Sequence, residues 1–181
     1  LRYGTRYGEQ DRVVELDGEA YFEVAKDARR RFVVRAGEME VEALGTSFNV
    51  KAYSEDKDLV ATLLEGKVRT SINGQSAILC PDQQAAYDKA KGKLQVSYTE
   101  DAAYACMWRE GELAFSGETL EEIASLFKRM YNVEVEFETE NIKSCRFSGV
   151  IKNNSLENVI ELISLTAPIA YRAKGDTIIL S

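Results

Sequence analysis

One pattern, written twice, constrains this chain more than any single motif does. In the stretch from Trp108 to Phe137, a short strand pattern at residues 112–115 is followed by Ser116-Gly117. Leu120, Ile123, Ala124, Phe127 and Tyr131 then recur at helical spacing, and alternation returns at Val133, Val135 and Phe137. Thr119, three residues before Glu122, writes a capping box that starts the helix locally. The whole pattern then repeats. Phe115-Ser116-Gly117 returns as Phe147-Ser148-Gly149, 32 residues on. Leu120, Ile123, Ala124, Phe127, Val133 and Val135 return as Leu156, Val159, Ile160, Ile163, Ile169 and Tyr171, 36 residues on, so the loop after the second glycine is four residues longer. One copy cannot cover its own apolar helix face, whereas two can bury theirs against a common small sheet. The repeat predicts a β-α-β-β-α-β domain over residues 104–181.

Residues 12–98 read differently. Short alternating or β-branched runs are punctuated by turn dipeptides: Asp17-Gly18, which signals a two-residue hairpin, then Gly37-Glu38, Gly45-Thr46, Glu65-Gly66, Asn73-Gly74 and Lys91-Gly92. No stretch there has helical periodicity. The expectation is an all-β domain over residues 1–103, built of stacked short strands as a sandwich or a solenoid-like coil. The fold class is therefore multidomain, β plus α+β. Residues 99–105 read as the junction, and the single tryptophan, Trp108, is expected to pack between the domains.

Chemistry is bounded mainly by what is missing. The chain has no histidine, which removes the Ser-His-Asp and Cys-His arrangements and the commonest zinc ligand. Cys80, Cys106 and Cys145 have no metal-knuckle spacing; they read as buried thiols, with one disulfide and a leftover as the alternative. No catalytic residue, metal site or cofactor is expected. A net charge of −7 argues against nucleic acid, because phosphate-backbone affinity needs clustered Lys and Arg. Residues 101–181 carry 13 acidic against 8 basic side chains. In particular Glu134, Glu136, Glu138 and Glu140 alternate on one face of a strand, opposite Val133, Val135 and Phe137. That face reads as a solvated sheet surface, with a cation or basic-partner site as the functional alternative. No run approaches a membrane-spanning length, and without an initiator Met the sequence reads as a segment of a longer protein.

The order of short motifs then resembles a known family. V-E-L-D-G-E-A-Y-F-E-V-A-K-D from Val14, F-V-V from Phe32, V-E-A-L-G-T-S-F-N-V-K-A-Y from Val41, L-L-E-G-K-V from Leu63 and C-P-D-Q-Q-A from Cys80 are similar to the periplasmic region of FecR-type anti-sigma regulators. W-R-E-G-E-L-A-F from Trp108 and L-F-K-R-M-Y-N-V from Leu126 resemble the C-terminal domain found in members from Bacteroidetes, which shares the short N-terminal fold of secretins and TonB-dependent receptors. The family's proline-glycine turn reads Pro81-Asp82 here.

The resemblance implies the periplasmic region of a single-pass inner-membrane protein that is not an enzyme. Its expected partner is the N-terminal signalling domain of a TonB-dependent outer-membrane receptor. An extracytoplasmic-function sigma factor would be reached only through a cytoplasmic segment outside this sequence, and site-2-type protease processing is expected of the full-length protein. If docking adds a strand to a sheet edge, the expected contacts are Val133, Glu134, Val135, Glu136 and Phe137, and Ile169, Tyr171 and Ile178 on the terminal strand pair. The alternative is a carbohydrate- or small-ligand-binding β domain.

Overall fold

Strands supply nearly all of the regular structure in residues Leu1–Cys106, one of two compact units into which the chain divides; the other is Met107–Ser181. The computed structural model describes residues 1–4, 7–8, 10–152, 155–166 and 169–181. In chain order the first unit contains β1 (Arg2–Tyr3), β2 (Arg12–Leu16), β3 (Gly18–Glu23), β4 (Phe32–Ala36), β5 (Met39–Ala43), β6 (Ser47–Ala52), β7 (Asp58–Glu65), β8 (Val68–Ile72), β9 (Gln75–Leu79), β10 (Gln83–Asp88) and β11 (Lys93–Tyr98). They form a six-stranded sheet, β1-β2-β4-β5-β8-β9, and a five-stranded sheet, β11-β10-β7-β6-β3.

Alternation puts one face of each sheet inward. Val34, Val41, Val68 and Leu79 of the first sheet meet Phe48, Val50, Leu63 and Ala85 of the second in one core, each no more than 1% exposed. That is a β-sandwich. Phe22, Phe32 and Phe48 cluster within it, with ring centroids 5.2–6.5 Å apart.

Three of the turn dipeptides close hairpins. Gly37-Glu38 joins β4 to β5, Asn73-Gly74 joins β8 to β9, and Lys91-Gly92 lies in the β10–β11 loop. Asn73 and Gly74 both have positive φ, +47° and +77°, as a two-residue hairpin of matching twist requires. Asp17-Gly18 does not close a hairpin. β2 and β3 lie in different sheets, β3 pairing with β6 and β2 running parallel to β4. The chain crosses the sandwich at Gly18 and returns before Phe32, so β2 and β4 point the same way. Gly45-Thr46 and Glu65-Gly66 are crossings of the same kind. At Pro81-Asp82 the aspartate adopts φ +63° and Gln83 N–H donates to Cys80 O at 3.1 Å, so the turn keeps the backbone that a glycine would have given. None of the three cysteines is in a disulfide, and they are not buried as expected: Cys80 is exposed, Cys106 and Cys145 half-buried.

The second unit contains β12 (Leu113–Thr119), α1 (Leu120–Tyr131), β13 (Glu134–Phe137), a 3-10 turn (Glu140–Ser144), β14 (Arg146–Ile151), α2 (Leu156–Thr166), β15 (Tyr171–Lys174) and β16 (Thr177–Leu180). The capping box forms as written: Thr119 N–H donates to Glu122 Oε2 at 2.7 Å, and Glu122 N–H to Thr119 Oγ1 at 3.3 Å. Leu120, Ile123 and Phe127 of α1 and Val159, Ile160 and Ile163 of α2 are buried in one core, as the repeat requires.

The helices do not share a single sheet, however. β12 and β14, the first strands of the two copies, pair with each other antiparallel, placing Ser116 opposite Ser148 and Phe115 opposite Gly149. The two Phe-Ser-Gly tripeptides thus meet across this pair, with a bulge at Gly117 that puts Glu118 opposite Phe147, and their phenylalanines lie edge-on at 5.4 Å. The last strands of the copies, β13 and β15, go to a separate three-stranded sheet with β16 between them. Asn153 and Asn154, in the longer loop of the second copy, lie outside the described residues. Trp108 sits on the 3-10 helix Ala102–Glu110, which carries the boundary between the units.

Candidate partner-binding surface

The three-stranded sheet determines which of the expected contact residues are available to a partner. Its order is β13-β16-β15, so β13 and β15 are its edges and β16 its centre. β13 pairs with β16 in parallel: Glu134 N–H donates to Asp176 O and Glu138 N–H to Leu180 O, both at 2.9 Å. Because backbone N–H groups alternate sides along a strand, those of Val135 and Phe137 point away from β16. The side chains of the same two residues pack against the core below. β13 therefore offers an unpaired rim of backbone whose half-buried side chains pack against the core, the arrangement that strand addition uses.

Three of the strand-pair residues divide differently. Tyr171 is 43% exposed and lies on the outer edge strand β15, whose four residues are all exposed. Ile178 is on the central strand with both backbone sides paired, and it is 4% exposed. Ile169 is 9% exposed and packs in the core, next to Ala170, which exchanges both backbone bonds with Ser181. Ile169 and Ile178 are thus core residues rather than the exposed edge positions that the sequence suggested. Val133 is part of the same core margin.

Of the four glutamates expected on one strand face, Glu134 and Glu136 lie on β13, Glu138 follows it and Glu140 begins the 3-10 turn; all four are exposed, and basic side chains pair with three of them. Lys128 Nζ lies 2.7 Å from Glu134, Arg172 2.6 Å from Glu138 and Lys143 2.8 Å from Glu140. The hydrogen bond to the Glu140 carboxylate holds the Lys143 ammonium above its ordinary range, and that ammonium also stands 5.6 Å from the centre of the Phe137 ring. These pairs are solvent-exposed and contribute little to stability, since water and salt screen them. Glu136, between them, is left without a basic partner among the described residues. Among the described residues no group of three or more Cys, Asp or Glu is arranged to hold a metal ion. The glutamate row is therefore a largely compensated surface beside an open strand edge.

Chemically, the described surface offers the unpaired backbone of two edge strands, β13 and β15. Comparison with known proteins gives the chain's family. The family description "FecR protein" matches residues 2–69, and "FecR, C-terminal" matches residues 112–180. A crystal structure at 1.65 Å of a candidate anti-sigma factor from Parabacteroides distasonis ATCC 8503 superposes with a TM-score of 0.92 at 32% identity, covering 99% of this chain and 84% of that one. A second crystal structure of the same description, at 2.50 Å, gives 0.90 and 32% over 98% and 83%. No curated protein matches the chain. The chain belongs to the FecR family of anti-sigma factors, which is regulatory and not enzymatic.

Proposed function

We propose that the chain is the periplasmic receiving part of a membrane-anchored anti-sigma regulator. In this reading it binds the N-terminal signalling domain of a TonB-dependent outer-membrane receptor. It controls an extracytoplasmic-function sigma factor through a cytoplasmic segment of the full-length protein, with site-2-type proteolysis completing the relay. No described helix of this chain is long and apolar enough to cross a membrane. The observation that carries the docking step is the open edge of β13, where Val135 and Phe137 present unpaired backbone toward a partner strand. Trp108, on the 3-10 helix Ala102–Glu110, is 40% exposed.

Proline substitution separates this edge from the rest of the sheet. Val135→Pro removes an outward N–H and leaves the inward bonds of Glu134 and Glu138 in place, which an edge strand tolerates. Titration calorimetry with the receptor's signalling domain should give a Kd of about 10 μM or tighter for the unaltered chain and at least about a tenfold loss for Val135→Pro. Unchanged affinity in a variant that retains its circular dichroism and melting temperature contradicts docking at β13.

A further inference from the structure

At one end of the sandwich four connections converge: the Asp17-Gly18 crossing, the Gly37-Glu38 hairpin, the loop that begins at Tyr53-Ser54 and the loop that begins at Lys89. Between them lies an open cavity of about 480 Å3, within the range of roughly 300–1,000 Å3 typical of small-molecule sites. Its floor is apolar, made by Leu16 and Leu59. Tyr53 forms part of the wall and lies against Gly18; a Cβ on that glycine would touch the ring at 3.5 Å.

The polar groups around this floor are unequal. Tyr87, only 6% exposed, also lines the cavity; its hydroxyl accepts from Asn73 Nδ2 at 3.0 Å and keeps its own proton to donate. The same amide donates to Glu38 Oε2 at 3.0 Å, which fixes that carboxylate on the rim with its other oxygen still able to accept. Asp17 has no hydrogen-bond or ion-pair partner among the described residues. Lys89 lines the cavity too, but its ammonium donates to the carbonyls of Tyr53, Ser54 and Asp56 at 2.9, 3.0 and 2.6 Å, which uses all three of its protons. The cavity therefore offers two carboxylate acceptors and one hydroxyl donor above an apolar, tyrosine-walled floor.

An anion meets two carboxylates and a lysine already spent, so it is disfavoured. A small ammonium would leave the apolar floor wet and would sit beside the Lys89 charge. A hydroxylated ring meets every feature, with O–H donors for Asp17 and Glu38, an acceptor for Tyr87 and a C–H face for Tyr53 and the leucines. We propose that this end of the sandwich binds a neutral sugar of one or two rings, independently of docking at β13.

Saturation-transfer NMR on the intact chain tests this with glucose, galactose, mannose, N-acetylglucosamine, maltose and cellobiose, and with cyclohexanol and putrescine as controls, each at about 10 mM, where even millimolar affinity fills the site. At least one sugar should show transfer, strongest at the C–H protons of one ring face. Asp17→Ala and Tyr53→Leu, both outside the buried core, should each weaken it by about tenfold or more with the melting temperature preserved. Silence from every sugar overturns the proposal. So does equal transfer to cyclohexanol, which makes the cleft merely apolar, or preference for putrescine, which makes it a cation site. Sugar binding that neither variant weakens places the ligand elsewhere and overturns it as well.

Discussion

Phe127→Ala is expected to remove about 3–5 kcal/mol from the C-terminal unit. The side chain is 3% exposed, its ring meets Tyr131 edge-on at 5.8 Å, and with Ile160 and Ile163 of the other repeat copy it walls an apolar void of about 10 Å3. Truncation would turn that void into a dry cavity that apolar neighbours cannot fill with water. A unit of this size has a total stability of only about 4–11 kcal/mol. The variant should therefore unfold partly or wholly near room temperature, as read by loss of amide protection at Val159 in hydrogen exchange. Retained protection at Val159 would mean that the two helix faces do not form one core.

The second large effect belongs to the sandwich. Gly45, at φ +74°, sits where the chain crosses from β5 to β6, and a Cβ there would overlap the Lys26 side chain and stand 2.9 Å from the Lys26 Cα. Gly66 makes the neighbouring crossing from β7 to β8, and a Cβ on it would lie 2.6 Å from Thr46 Cγ2 and 3.1 Å from Gly45 O. The two crossings are thus packed backbone against backbone, which gives the glycines of L-G-T-S and L-E-G-K a packing role without any catalytic group. Gly45→Ala carries both left-handed strain and a backbone collision, at a cost of about 2–4 kcal/mol in urea denaturation. Gly74→Ala is the control. Its φ is +77° but nothing lies within 4 Å of the added carbon, so it should cost only about 1 kcal/mol. Equal losses at the two positions would show that close packing at the crossing is not the cause.

What could be read from the sequence was what neighbours in the chain decide. The capping box at Thr119 and Glu122 is such a feature, and so is the left-handed turn at Asn73-Gly74. The repeat was also legible, because identical spacing forces both helices to present the same face. Partner choice between strands was not. Asp17-Gly18 turns the chain as tightly as a hairpin would, yet β3 finds β6 in the opposite sheet, a long-range outcome that the dipeptide does not encode. The split of the C-terminal strands into two sheets likewise depends on β16 inserting between β13 and β15.

The candidate surface shows the same division. Alternation correctly separated Val135 and Phe137 from the glutamates of β13. It could not tell an edge strand from a central one, so Ile178 and the buried Ile169 were grouped with true edge residues. The cysteines mark a further limit, since apolar neighbours in sequence do not bury Cys80 when it precedes a surface turn. The cavity at the sandwich end was invisible, because Asp17, Glu38, Tyr53 and Tyr87 come from four separate connections and strands that only the finished fold brings together.

Under the proposed function, β13 receives a strand from the receptor's signalling domain. Amide hydrogen exchange of the whole chain, with and without that domain at saturating concentration, tests it most directly. The account predicts that the outward amides of Val135 and Phe137 become protected, while those of Glu134 and Glu138, already bonded to Asp176 and Leu180, change little. Protection confined to β15 or to the sandwich, with Val135 and Phe137 exchanging as in the free chain, would contradict it.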